Sequence, residues 1–203
     1  MVKKRTDAED TKRRIVEKAG QLFATKGYNA VTMNEVCESA AVSKGSLYHH
    51  FPSKDELLLY VIEEDAAEWQ YRWESLRVAH HSLEEQLSLL AEHYADDFQN
   101  PLSKALEEFA RSQVISEDIL GRILSINELT VQACRTLLEE GMNRGDIQSG
   151  HLDEKVMIVS SMLEGLGKMY YVYDRDKEKD KVKHIYRHAV HILLNGMRAG
   201  ERP

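Results

Sequence analysis

Residues 31–57 read VTMNEVCESAAVSKGSLYHHFPSKDEL, and this stretch decides the fold. Three helix start signals fall inside it. Thr32 with Glu35, and Ser53 with Glu56, have the spacing of capping boxes, in which a hydroxyl and a carboxylate satisfy free amides at a helix N-terminus. Ser43 is placed to cap a further helix, and Pro52 ends that helix near Phe51, because the residue before a proline is pushed out of the α conformation. The spacing therefore predicts a short helix over about 33–39, a turn at Ala40-Ala41-Val42, a second short helix over about 44–50, and a long helix from Ser53 to about 78. Val31, Val36, Ala40, Val42, Leu47 and Phe51 supply the apolar positions that lock the short helices in place. Ser43, Lys44, Gly45, Ser46, Tyr48, His49 and His50 leave small or hydrogen-bonding groups facing outward.

Outward from this stretch the periodicity is helical, with no period-2 strand and only three prolines. The N-terminal side predicts a helix over 7–26: Thr6 and Glu9 have capping spacing, Ile15, Val16, Ala19, Leu22 and Phe23 form one apolar stripe, and Gly27 suits its end. Its polar face carries Lys12, Arg13 and Arg14. On the C-terminal side helices are expected over 82–99, 102–114, 117–143, 153–173 and 177–198, with Ser82, Pro101, Ser116 and Gly145 as punctuation. The mixed charge run at 174–181 reads as a solvated connection and helix start. The expected fold class is all-α with about nine helices: a helix-turn-helix domain over residues 1–54 and a larger helical bundle over 55–203.

Charge divides along the same line. The 203-residue chain carries a net −7, which argues against a polyanionic partner when taken whole. Residues 1–54, however, hold ten Lys and Arg against six Asp and Glu, a net of +4, whereas the remainder holds seventeen against twenty-eight, a net of −11. A small basic head on an acidic body is what a protein needs if only its head approaches nucleic-acid phosphates. Two helices joined by a tight turn, the second short and polar on its outer face, can enter the roughly 12 Å wide major groove of DNA. Gly45 costs about 1 kcal/mol inside a helix relative to Ala, which close approach of backbone to DNA would explain.

Cys37 and Cys134 match neither a zinc motif nor a disulfide framework, and both read as small buried hydrophobes of a protein at home in a reducing cytoplasm. No apolar run approaches the length of a membrane helix, and Met1-Val2-Lys3-Lys4-Arg5 leads into acidic residues where a signal peptide would be hydrophobic. No nucleophile elbow, phosphate-cradling glycine loop or metal-ligand set is found, so neither an enzyme nor a cofactor is expected. His184, His188 and His191 share a helix face, but no cysteine or carboxylate joins them at suitable spacing to complete a tetrahedral site.

The stretch 31–57 closely resembles the DNA-binding signature of the TetR family of bacterial transcriptional regulators. Thr32, Val42, Ser43, Gly45, Tyr48, Phe51, Ser53, Lys54 and Leu57 occupy matching places. The departures are Ala41, where the family usually has Gly, and Cys37, where a small residue is usual. Ala41 implies either a turn that stays right-handed or some lost stability. The resemblance implies that Thr32, Tyr48 and Lys54 hold phosphates, that Ser43, Lys44, Ser46 and His49 lie at or near base edges, and that Gly45 permits the approach.

It also implies a homodimer on a pseudo-palindromic double-stranded operator, paired through the last two helices. There Val159, Met162 and Leu166, with Ile185, Ala189, Ile192, Leu193 and Gly196, have spacings that bury a face, although packing inside one subunit would use the same residues. The central helices are then the expected home of a small-molecule inducer, with Tyr94, Phe98, Phe109, Leu129, Cys134, Met162 and Tyr170 as wall residues. The expected function is a ligand-responsive repressor. The alternative keeps the same DNA-binding head on a body that recruits another protein.

Overall fold

The structure, a computed structural model, describes residues 2–77, 82–97, 100–112, 116–173 and 179–197. Among them are nine helices and no strand: α1 (Val2–Ala30), α2 (Met33–Ala40), α3 (Lys44–His50), α4 (Lys54–Leu76), α5 (Leu83–Asp97), α6 (Pro101–Ser112), α7 (Glu117–Arg144), α8 (Leu152–Tyr173) and α9 (Lys179–Met197). The all-α architecture expected from periodicity is the one observed. One start differs. α1 reaches back to Val2, so Thr6 lies inside the helix; Lys3, Lys4 and Arg5 are good helix formers and nothing interrupts them.

The caps explain where the remaining helices begin. Ser82 and Glu85 complete a reciprocal capping box, the Ser82 amide donating to Glu85 Oε2 at 2.8 Å and the Glu85 amide to Ser82 Oγ at 3.2 Å. At Thr32 and Ser53 only the first half forms, the amides of Glu35 and Glu56 donating to the hydroxyls at 3.2 and 3.1 Å. The two carboxylates turn instead to Lys26 and to Arg122. Asn100 starts α6 ahead of Pro101, accepting from the Leu102 amide on its side-chain oxygen at 3.0 Å.

By contacts the chain divides into two compact units, Met1–Glu68 with Asn100–Ile126, and Trp69–Gln99 with Asn127–Pro203. The first unit thus holds α1, α2, α3, α6, most of α4 and the start of α7. Its core is built on Ile15, Ala19 and Phe23 of α1, Val36 of α2, Leu47 of α3, Leu57 and Leu58 of α4, and Phe109 of α6. The second unit buries Leu87, Leu90 and Tyr94 of α5, Cys134 and Leu138 of α7, Val159 and Leu163 of α8, and Tyr186 and Val190 of α9, beside Trp69 and Trp73. No described helix is long and apolar enough to cross a membrane.

Candidate nucleic-acid interface

α2 ends in a Schellman turn. The Val42 amide donates to the Cys37 carbonyl at 3.0 Å and the Ala41 amide to the Glu38 carbonyl at 3.2 Å, with Ala41 in the left-handed region at φ 51, ψ 50. Of the two outcomes open to Ala41, the left-handed one is realised. The same motif closes α7 with a glycine, Gly145 at φ 80, so one chain contains the turn with and without a Cβ.

The turn delivers Ser43 to the start of α3, where its hydroxyl accepts from the Ser46 amide at 3.2 Å. Within α3 only Leu47 is buried. Ser43, Lys44, Gly45, Tyr48 and His49 are exposed, whereas Ser46 and His50, expected to face outward with them, are half-buried. Tyr48 is 49 % exposed, a large area for an aromatic ring. Thr32 is exposed as well, one helix away. Gly45 has no φ in the left-handed region, and a Cβ placed on it would meet only Ser43 Oγ, at 4.0 Å. No described residue requires a glycine there.

Lys54 is placed differently. Its ammonium donates to the carbonyls of Tyr28 and Val31 at 2.9 and 3.1 Å and sits 4.1 Å from the Tyr28 ring centre. The Tyr28 hydroxyl in turn donates to Asp55 Oδ1 at 2.5 Å, and burial with this carboxylate pushes the phenol far above its ordinary value. The first turn of α4 is therefore tied to the chain leaving α1. Gly27 breaks α1 just before it, at φ 78 and ψ 171, where a Cβ would collide with the Glu108 carboxylate of α6. Arg122 of α7 adds a three-point clamp on α4, reaching Glu63 at 2.6 and 2.9 Å and Glu56 at 2.8 Å. Lys12 lies 3.8 Å from the centre of the Tyr60 ring, close to α3 through Phe51. None of these supports could be read from spacing, since their partners lie tens of residues apart.

Two family models cover almost all of the chain: "Bacterial regulatory proteins, tetR family" over residues 15–61 and "QacR-like protein, C-terminal region" over residues 65–199. The chain belongs to the TetR family. It is accordingly a DNA-binding transcriptional regulator and not an enzyme. Among curated relatives, the HTH-type transcriptional regulator QacR of Staphylococcus aureus is 26% identical over 193 residues, 92% of this chain and 97% of that protein. UidR of Escherichia coli is 26% identical over 148 residues, 71% and 74% of the two chains. Among solved structures, a TetR-family regulator from Mesorhizobium loti shares the fold with a TM-score of 0.76 at 20% identity, covering 95% of this chain and 98% of that one. Salmonella enterica GusR does so at 0.72 and 19%, covering 92% and 94%.

In this TetR-family chain the residues expected around an inducer fall in different places. Tyr94 and Cys134 are buried together in the second unit, with Met162 packed against the same core. Phe109 is not with them: it lies in the first unit's core, edge-on to Tyr28 at 5.1 Å between ring centres. Leu129 is half-buried on α7, and Phe98 and the Tyr170 side chain lie outside the described residues. Trp69, Trp73, His93 and Ser160 line the Tyr94 region and carried no spacing signal; Trp69 and His93 rings are 4.5 Å apart, and His93 Nε2 is 3.0 Å from the Trp69 carbonyl.

The residues expected to pair two subunits also divide. Val159 is buried in its own subunit's core, and Leu166 and Leu193 pack partly against it. Ile185, Ile192 and Gly196 are exposed and Ala189 is half-exposed on one face of α9. On α8, Met157, Ile158 and Met169 show 70%, 54% and 54% of their surface. Among the described residues no group of three or more His, Cys, Asp or Glu could hold a metal ion; the His184 and His188 rings lie parallel at 6.3 Å, and His191 meets Glu84 at 2.9 Å.

Proposed function

We propose that this protein is a homodimeric, ligand-responsive repressor that leaves a pseudo-palindromic operator when an apolar or amphipathic small molecule binds its body. Residues 1–54 read the DNA, and residues 55–203 sense the ligand and dimerise, in the cytoplasm. The observation that carries the reading is α3: seven residues, one buried side chain, and a glycine that no neighbour among the described residues requires. Thr32 and Tyr48 are assigned to phosphates, with Lys54 using the N–H its two carbonyl bonds leave over. Ser43, Lys44, Ser46 and His49 are assigned to base edges, and Gly45 to the close approach. Phosphate contacts then set position and base contacts set sequence.

Dimerisation draws support from the exposed apolar faces of α8 and α9, where Ile158, Met169, Ile185 and Ile192 lie open beside Ala189 and Gly196. A helix as short as α3 reads few base pairs, and a two-fold dimer doubles the site. The experiment is selection of bound fragments from random DNA by the full-length protein. Two inverted half-sites at a constant separation are expected. Recovery of single, unpaired half-sites would remove the dimer from this reading, and recovery of no sequence preference would remove the base contacts.

A further inference from the structure

Three helices of the second unit bring polar groups together inside a mainly apolar core: Tyr94 from α5, Cys134 from α7 and Ser160 from α8, at 7%, 0% and 8% exposure. Both hydroxyls approach the Cys134 thiol, and Tyr94 Oη also approaches the Thr130 side chain, yet Tyr94 Oη and Ser160 Oγ are sealed from solvent and make no hydrogen bond of ordinary geometry. Buried polar groups in folded proteins are nearly always satisfied, so two hydroxyls without a well-formed bond beside one thiol keep hydrogen-bonding capacity for a guest molecule. Around them stand aromatic walls, with Trp69 edge-on to Tyr94 at 5.4 Å and His93 tilted between Trp69 and Trp73. We propose that Tyr94 and Ser160 hydrogen-bond an uncharged aromatic compound bearing an alcohol, phenol or ketone oxygen, which inserts beside Cys134 against the two tryptophans. This rests on the reading of the body as a small-molecule sensor, and names the ligand's class.

The charge pattern selects that class. The polar residues buried among those described are Gln86, His93 and Ser160, and of the arginines near the tryptophans Arg72 is exposed and Arg77 is paired with Glu140. Burial pushes the Tyr94 phenol and the Cys134 thiol up and the His93 imidazole down, so all three are neutral at neutral pH. The formal charge felt at both Tyr94 and Cys134 is the Glu164 carboxylate, which repels an anion. A quaternary cation would be attracted to Glu164, but that residue is exposed and water-screened, and a cation without lone pairs leaves both hydroxyls unsatisfied. An oxygen acceptor answers them.

Trp69 and Trp73 are the two tryptophans of the chain, so tryptophan emission of the full-length protein, excited at wavelengths where tyrosine does not absorb, reports on this core alone. The test titrates phenethyl alcohol, phenylacetate and phenethyltrimethylammonium, which share a ring and differ in charge. The alcohol is expected to quench at concentrations at least about tenfold below the other two. Tyr94→Phe and Ser160→Ala are each expected to weaken the alcohol by roughly three- to tenfold, the worth of one ordinary hydrogen bond. Both variants remove a hydroxyl without a well-formed bond, so neither should lower the melting temperature appreciably. Equal or tighter binding of the carboxylate or the cation, variants that bind the alcohol unchanged, or no quenching by any of the three overturns the proposal. A parallel gel shift separates this from the sensor reading. DNA release by the charged compounds alone sinks the class and leaves sensing intact, whereas the expected quenching pattern without DNA release leaves the site and sinks sensing.

Discussion

Replacing Gly45 by alanine should move stability and function in opposite directions. Gly45 is the second residue of α3, is exposed, has no left-handed φ, and offers a Cβ open space up to Ser43 Oγ at 4.0 Å. In the free protein Gly45→Ala therefore removes backbone entropy from the unfolded chain without strain, a gain of about 0.4–1 kcal/mol. For a chain of this size that is an increase of roughly 1–4 °C in melting temperature. On DNA the added methyl group enters the gap that the glycine leaves for a phosphate or base edge, and overpacking of a close contact costs about 1–3 kcal/mol, or roughly five- to a hundred-fold in affinity. Thermal melts of the free protein and gel-shift titrations on the selected operator read the two effects separately. An unchanged affinity beside the expected rise in melting temperature would refute the argument that this glycine faces DNA. A fall in melting temperature would show instead that the fold itself uses it.

Ala41→Gly relieves a left-handed alanine, worth about 1–2 kcal/mol, at an unfolded-state cost of about 0.4–1 kcal/mol, for a net gain near 0.5–1 kcal/mol; Gly145→Ala should lose a similar amount, and calorimetry on the pair checks both signs. Tyr48→Ala and Lys54→Ala should both weaken operator and nonspecific binding and flatten the salt dependence. Only Lys54→Ala should also destabilise the free protein, by about 1.5–3 kcal/mol, because its ammonium bonds the part-buried Tyr28 and Val31 carbonyls. His93 is held below its ordinary value mainly by burial, against the opposing pull of the Trp69 carbonyl. The unfolded chain regains a value of about 6.5 and takes up a proton that the folded state refuses, so the stability present above that pH is lost as pH falls through the native value. His93→Gln should flatten the fall in melting temperature on acidification, leaving a residual slope from His50, whose imidazole is lowered by burial and by His49 and Lys12.

What was legible in the sequence was local. The bounds of α3, the hydroxyl caps at Thr32, Ser43, Ser53, Ser82 and Ser116, and the outward set on α3 depend on residues three or four apart and on Pro52, so a linear reading reaches them. Ala41 was legible as a conflict and not as an outcome, because hydrogen bonds to Cys37 and Glu38 had to outweigh its Cβ. Long-range pairings were closed to the sequence. The carboxylates of Glu35 and Glu56 leave their capping boxes for Lys26 and Arg122, and Lys54 turns to carbonyls 26 and 23 residues away. Periodicity tells that a helix has an apolar face; it does not tell what covers that face. Phe109 suits either core, and contact with Tyr28 places it in the first. Val159 and Ile158 are neighbours of similar hydrophobicity, but about 100° of helical rotation puts one inside its own subunit and leaves the other open. The chain's order thus determined where helices start and stop, through short-range hydrogen bonds, while the choice of partners for each face was left to packing among segments far apart in sequence.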